Sequence, residues 1–180
     1  FQSINALTID GPAVYAASAG GGVLVVNGDT VSVLAGTEGM TVNAVTRHGD
    51  SLFVATAGHG LGMGRPGGPL AFTTTMTAAA GKAAVSVPLM GLNGCDIFAV
   101  NGVDTVFISM YGGLLYYPLA APNTARLYTR KEGPLIETNT RYVYQDKRGD
   151  IWVMSNPVKS FLMRGIRLQY IMWAGLAALG

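Results

Sequence analysis

The chain has 180 residues, 49% of them apolar and 12% charged, with a mean hydropathy of +0.35. This composition excludes a disordered polypeptide and is low in charge for a protein that stands alone in solution. The net charge is only +2 but unevenly spread: up to Pro122 three basic residues face six acidic ones, and beyond it nine face four.

Read from the start, "FQSINALTID" lacks the basic segment before an apolar run that marks a signal peptide. The first strong pattern is internal. Residues 6–26, "ALTIDGPAVYAASAGGGVLVV", align without a gap on 44–64, "AVTRHGDSLFVATAGHGLGMG", at an offset of 38. A third copy, "FAVNGVDTVFISMYGGLLYY", spans 98–117, and a fourth, "RYVYQDKRGDIWVMSNPVKSFLM", spans 141–163. An aromatic recurs in the second strand of each: Tyr15, Phe53, Phe107 and Trp152.

Each copy has one physical plan. A short strand enters a polar turn ("IDGPA", "RHGDS", "VNGVDT", "QDKRGD"), where Gly tolerates positive φ and Asp or Asn bonds the local backbone. A nearly continuous apolar strand follows, as expected for a strand covered on both faces. A small-residue turn and a third strand come next, with "DTVSVLAG" (29–36) and "ARLYTRKEG" (125–133) as fourth, outer strands. The stretch 64–94 separates the second and third copies and reads as a decorated connection that includes a missing outer strand.

Four-stranded units at this spacing predict an all-β, β-propeller-type array of about four blades. The copies lie near 4–36, 42–64, 97–133 and 140–163, and the recurrent aromatic is expected between neighbouring blades. Four blades are few for closure, so the array is expected to be partial or completed by another chain. The tail, 164–180, is apolar from Tyr170 onward and predicts a short hydrophobic C-terminal helix. It is too short to span a bilayer, which needs about 20 residues. It reads either as a helix packed on a core or partner, or as a membrane-contacting helix or the start of a truncated span, with Arg167, Tyr170 and Trp173 at the contact.

"TRYVYQDKRGDIWVMS" resembles the repeat of the two-component-regulator propeller family through Asp146, Gly149, Asp150, Ile151, Trp152 and Val153. The second copy resembles it through Gly49, Asp50, Leu52, Phe53, Val54, Thr56, Gly60 and Leu61, with His48 where an acidic residue is expected. Tyr15 and Phe107 replace Trp in the other copies, "SNPVKS" departs from the pattern, and no signalling domain is present in these residues. The resemblance implies an extracytoplasmic (periplasmic) or membrane-associated sensor domain acting in signal transduction.

Motifs for chemistry fail. Cys95 is the only cysteine, so an intrachain disulfide and a cysteine-based zinc site are excluded. "AAAGKAAV" has Met76 where a phosphate loop needs its first Gly, and Ala83 where it needs a hydroxyl. His48 and His59 fall in turns at opposite ends of a strand, so no metal site is expected. The basic residues of the C-terminal half are interspersed with Glu132, Glu137, Asp146 and Asp150, and nucleic acid is not an expected partner.

The expectation is therefore a non-enzymatic binding or scaffold module, without cofactor, that senses a ligand or partner. Its partners would be another protein or further blades. His59, Tyr111 and Asn156 lie at the equivalent turn of three copies and are the candidate contact residues. The alternatives are an accessory structural subunit of a larger membrane-associated assembly and a lyase-like enzyme using His59 as base.

Overall fold

Short apolar segments broken by Gly-containing turns fold into four sheets that follow one another along the chain. The computed structural model describes residues 3–130, 139–155, 159–164 and 167–171. Sheet I comprises β1 (Ile4–Asp10), β2 (Ala13–Ser18), β3 (Gly22–Asn27) and β4 (Thr30–Val33), paired antiparallel in chain order. Sheet II repeats the plan with β5 (Val42–His48), β6 (Ser51–Thr56), β7 (Leu61–Gly64) and β8 (Leu70–Thr73).

A hairpin, β9 (Thr75–Ala80) and β10 (Ala83–Pro88), precedes the third unit. That unit contains β11 (Leu92–Val100), β12 (Val103–Met110), β13 (Gly113–Pro118) and β14 (Arg126–Tyr128). The hairpin joins it through a parallel contact of β9 with β14 at Ala79 and Arg126, making sheet III six-stranded. Strand β11 begins at Leu92, inside the stretch read as an insert, because the β11–β12 hairpin is longer than those of sheets I and II. Asn101 and Gly102 close it, both at positive φ, as a two-residue hairpin turn requires.

Sheet IV comprises β15 (Thr140–Gln145), β16 (Ile151–Ser155), β17 (Lys159–Arg164) and β18 (Arg167–Ile171). Here the structure corrects the expected C-terminal helix over part of its range. Arg167–Ile171 is a strand whose register pairs Tyr170 with Phe161 and Arg167 with Arg164. "RLQYI" alternates and carries strand formers, and pairing with β17 gives the sheet its fourth strand. Residues 172–180, including Trp173, lie outside the described residues. No helix among the described residues is long and apolar enough to cross a membrane.

The first strands of successive sheets are neighbours: β1 beside β5, β5 beside β11, β11 beside β15. Each buried aromatic of a second strand packs onto the following sheet. Tyr15 joins Val42, Val45, Leu52 and Val54; Phe53 joins Leu92, Cys95, Val106 and Ile108; Phe107 joins Val143, Ile151 and Val153. Full burial of such side chains stabilises by roughly 1.5–3 kcal/mol each. The core is thus a series of layers between sheets. Trp152, which has no following sheet among the described residues, is only half-buried.

Candidate functional site

The inserted hairpin does more than widen sheet III. The Ala79 N–H donates to the Ala125 carbonyl at 2.8 Å, which holds β9 along β14. The β12–β13 turn at Tyr111 and Gly112 then lies across from β10, and a cleft of about 440 Å³ opens between them. Its walls are apolar, with Val85, Val87, Met90, Met110 and Leu127 among them, and Ser86 and Thr129 are its polar residues. Tyr111 is 72% exposed and Met90 50%, so both are available to a ligand at the mouth. The turn is fixed by the Tyr111 N–H, which donates to the Gly91 carbonyl at 3.2 Å. Gly91 in turn donates to the Ala57 carbonyl of sheet II at 3.1 Å.

Of the three turn residues expected to make contacts, Tyr111 lines this cleft. His59 is exposed in the β6–β7 turn, where its main-chain N–H donates to Thr56 Oγ1 at 2.8 Å, and no carboxylate pairs with it among the described residues. Asn156 lies outside the described residues. Arg167 and Tyr170 sit on β18, in register with Arg164 and Phe161 of β17. Among the described residues no three His, Cys, Asp or Glu side chains are grouped to hold a metal ion.

A second polar feature escaped the motif search. Every first strand has a register irregularity near its start, between Ile4 and Ala6, Val42 and Ala44, Leu92 and Gly94, and Thr140 and Tyr142. The residue at the irregularity is Asn5, Asn43, Asn93 and Arg141 in turn. An irregularity of this kind re-aims a side chain out of the alternating pattern. Asn5 Nδ2 donates to the Val42 carbonyl at 2.9 Å, Asn43 Nδ2 to Leu92 at 2.7 Å and Asn93 Nδ2 to Thr140 at 2.7 Å. The amides therefore latch each sheet to the next. With Arg141 and Tyr142 they surround a polar pocket of about 110 Å³. The recurrence of "INA", "VNA" and "LNG" was the available signal.

Titratable groups mark the seams between sheets. Arg47 of sheet II meets Asp10 of sheet I at 2.7 Å, and His48 meets Asp104 of sheet III at 2.9 Å. Asp146 is held down at about 2, chiefly by the hydrogen bond from Trp152 Nε1 and also by the main-chain N–H groups of Arg148 and Asp150. Burial pushes the Cys95 thiol up and raises Asp96 to about 6. Because the folded form of Asp96 binds its proton more tightly than the unfolded chain, stability falls as pH rises from about 4 through 6. Asp96→Asn is expected to stabilise the fold at pH 8 by about 1–2 kcal/mol, since the amide retains part of the cost of burying a polar group. Denaturant titrations at pH 8 and pH 4 should show this gain shrinking at the lower pH.

No family model and no curated relative matches the chain. Solved structures do. The extracellular domain of BT4673 from B. thetaiotaomicron, described as a one-component system, matches 98% of the chain with a TM-score of 0.64 at 11% identity. That of BT3049 from the same organism, described as a hybrid two-component system, matches 89% with a TM-score of 0.51 at 14% identity. The chain shares the fold of these sensor domains. It spans 23% of the BT4673 chain and 27% of the BT3049 chain. It also matches two computationally designed proteins at 11% and 10% identity, covering 92% of Ika4 with a TM-score of 0.57 and 48% of Ika8 with a TM-score of 0.59.

Proposed function

We propose that the four sheets are successive blades of a β-propeller and that the chain is a non-enzymatic, extracytoplasmic ligand-sensing module. The observation that carries this reading is the apolar cleft at Tyr111, built between a repeated blade turn and a hairpin that, among the described residues, the other three units lack. Its volume falls within the range of small-molecule sites, and a few polar groups among apolar walls are the usual composition of such sites. The fold shared with sensor extracellular domains supports the same role, and His59 on the neighbouring turn is a further contact candidate.

The ligand class is an apolar small molecule. Titration with the fluorescent probe anilinonaphthalene sulfonate should reveal a saturable site. Tyr111→Ala and Met90→Glu, both at exposed positions, should each weaken it about tenfold, the equivalent of 1.4 kcal/mol. Binding unchanged in both variants would sink this assignment.

A further inference from the structure

We infer that the apolar ligand of the cleft is an extended, uncharged peptide segment, which adds to β10 as a further strand and presents side chains toward Tyr111. This rests on the reading of the cleft as a ligand site given above and names the ligand it takes.

The free edge of sheet III supplies the main-chain half of the site. Among the described residues β10 pairs only with β9 and is the outermost strand of the sheet. Two turn residues, Gly81 and Lys82, join the hairpin, so Ala80 and Ala83 bond to one another and bonded pairs alternate from there. Leu89 continues the series, its N–H donating to the Thr74 carbonyl at 2.8 Å. Ala79 falls between bonded pairs, and its N–H turns outward to the Ala125 carbonyl beside β14 at 2.8 Å. Its register partner Ala84 therefore turns its N–H and carbonyl the other way, as does Ser86. Nothing among the described residues bonds to them there. Pro88 ends the row, since it offers a carbonyl but no N–H. Sheet edges are commonly guarded by charged side chains, and Ala83–Pro88 carries none.

The course of the cleft supplies the other half. Val85, Ser86, Val87 and Pro88 all line it. Successive side chains of a strand point to opposite faces, so a cavity lined by four in a row runs along the strand's edge. Met110, Tyr111 and Gly112 line it from the opposite side. A peptide laid along Ala84–Pro88 spans about 17 Å, at about 3.4 Å per residue. Its bonded residues share the face of Ser86, and the residues between them enter the cleft on the side of Val85 and Val87. No charged residue lines that side or the one facing it, so a charged side chain would be desolvated without a partner. Main-chain bonds with pockets for alternate side chains are the general means by which a sheet edge recognises a peptide.

The probe is a blocked, fluorescein-labelled pentapeptide of alternating threonine and valine, with threonine at both ends, and a twin N-methylated at its threonines. Fluorescence anisotropy should show saturable binding of the first and binding at least about tenfold weaker for the twin. Ala84→Pro removes an outward N–H and no bond to β9, and should weaken the first peptide by about tenfold. Equal binding of the two peptides overturns strand addition, as does no binding of either. Light scattering reports the other occupant of such an edge: a dimer that Ala84→Pro dissolves, with no peptide bound, gives the edge to a second copy and overturns the peptide. The dye titration reads the cleft alone. A saturable dye site with no peptide bound therefore sinks strand addition and leaves the ligand-site reading standing, whereas the lack of any dye site counts against that reading itself.

Discussion

Phe107→Ala should destabilise the fold by about 3–5 kcal/mol, and Trp152→Ala by only about 2 kcal/mol, although the larger ring is removed in the second case. The two residues hold the same place in successive second strands, facing Asp96 and Tyr144 respectively across the ladder. Phe107 is fully buried, with Val143, Ile151 and Val153 of sheet IV against it. Its ring also lies 6.0 Å from those of Phe98 and Tyr116, within the range where aromatic pairs attract. Truncation leaves a cavity between two sheets that cannot easily collapse. Trp152 loses its Nε1 bond to Asp146 and a half-buried surface, but opens no closed cavity. Urea unfolding of the two variants checks the ordering, and equal losses would contradict packing of each aromatic on the following sheet.

Gly60→Ala is expected to cost about 3–5 kcal/mol, against about 1 kcal/mol for Gly49→Ala. Both glycines have positive φ, at 87° and 55°, so both substitutions strain the backbone. They differ in their surroundings. A Cβ on Gly60 would overlap the main-chain carbonyl of Thr73, whereas one on Gly49 meets nothing within 4 Å. Gly60 opens the third strand of sheet II, and the chain leaving the fourth strand crosses directly over it. Gly22 and Gly113 stand in the same place in sheets I and III, and there a Cβ would overlap the carbonyls of Thr37 and Tyr128. Thermal unfolding of the two variants measures the difference. Similar melting temperatures would mean that the close approach at Gly60 is absent.

The parts of the fold that were legible in the sequence are those with a local cause. Turn chemistry and an aromatic second strand recur at Tyr15, Phe53, Phe107 and Trp152, and this repetition marks one hairpin in each sheet. The asparagine series was missed because Asn inside a strand reads as a turn former, and because the third hairpin is longer, which breaks the common offset between copies. The stretch 64–94 reads as a decorated connection with an outer strand; the outer strand is β8, whereas the hairpin β9–β10 has no local signature. Its attachment joins Ala79 to Arg126, and nothing near either residue signals a parallel pairing. In the tail, the alternation of "RLQYI" was outweighed by the apolar helix formers that follow it. The cleft depends on all of these distant pairings, so Tyr111 was found as a turn residue while the walls around it were not.

The reading proposed above rests on the apolar cleft that the β9–β10 hairpin and the turn at Tyr111 build together. Titration with anilinonaphthalene sulfonate of the native chain, of Tyr111→Ala and of Val103→Glu, an exposed position that does not line the cleft, tests it most directly. The account predicts a saturable site that is weakened about tenfold in Tyr111→Ala and unchanged in Val103→Glu. No saturable binding by the native chain, or the same affinity in all three, would contradict it.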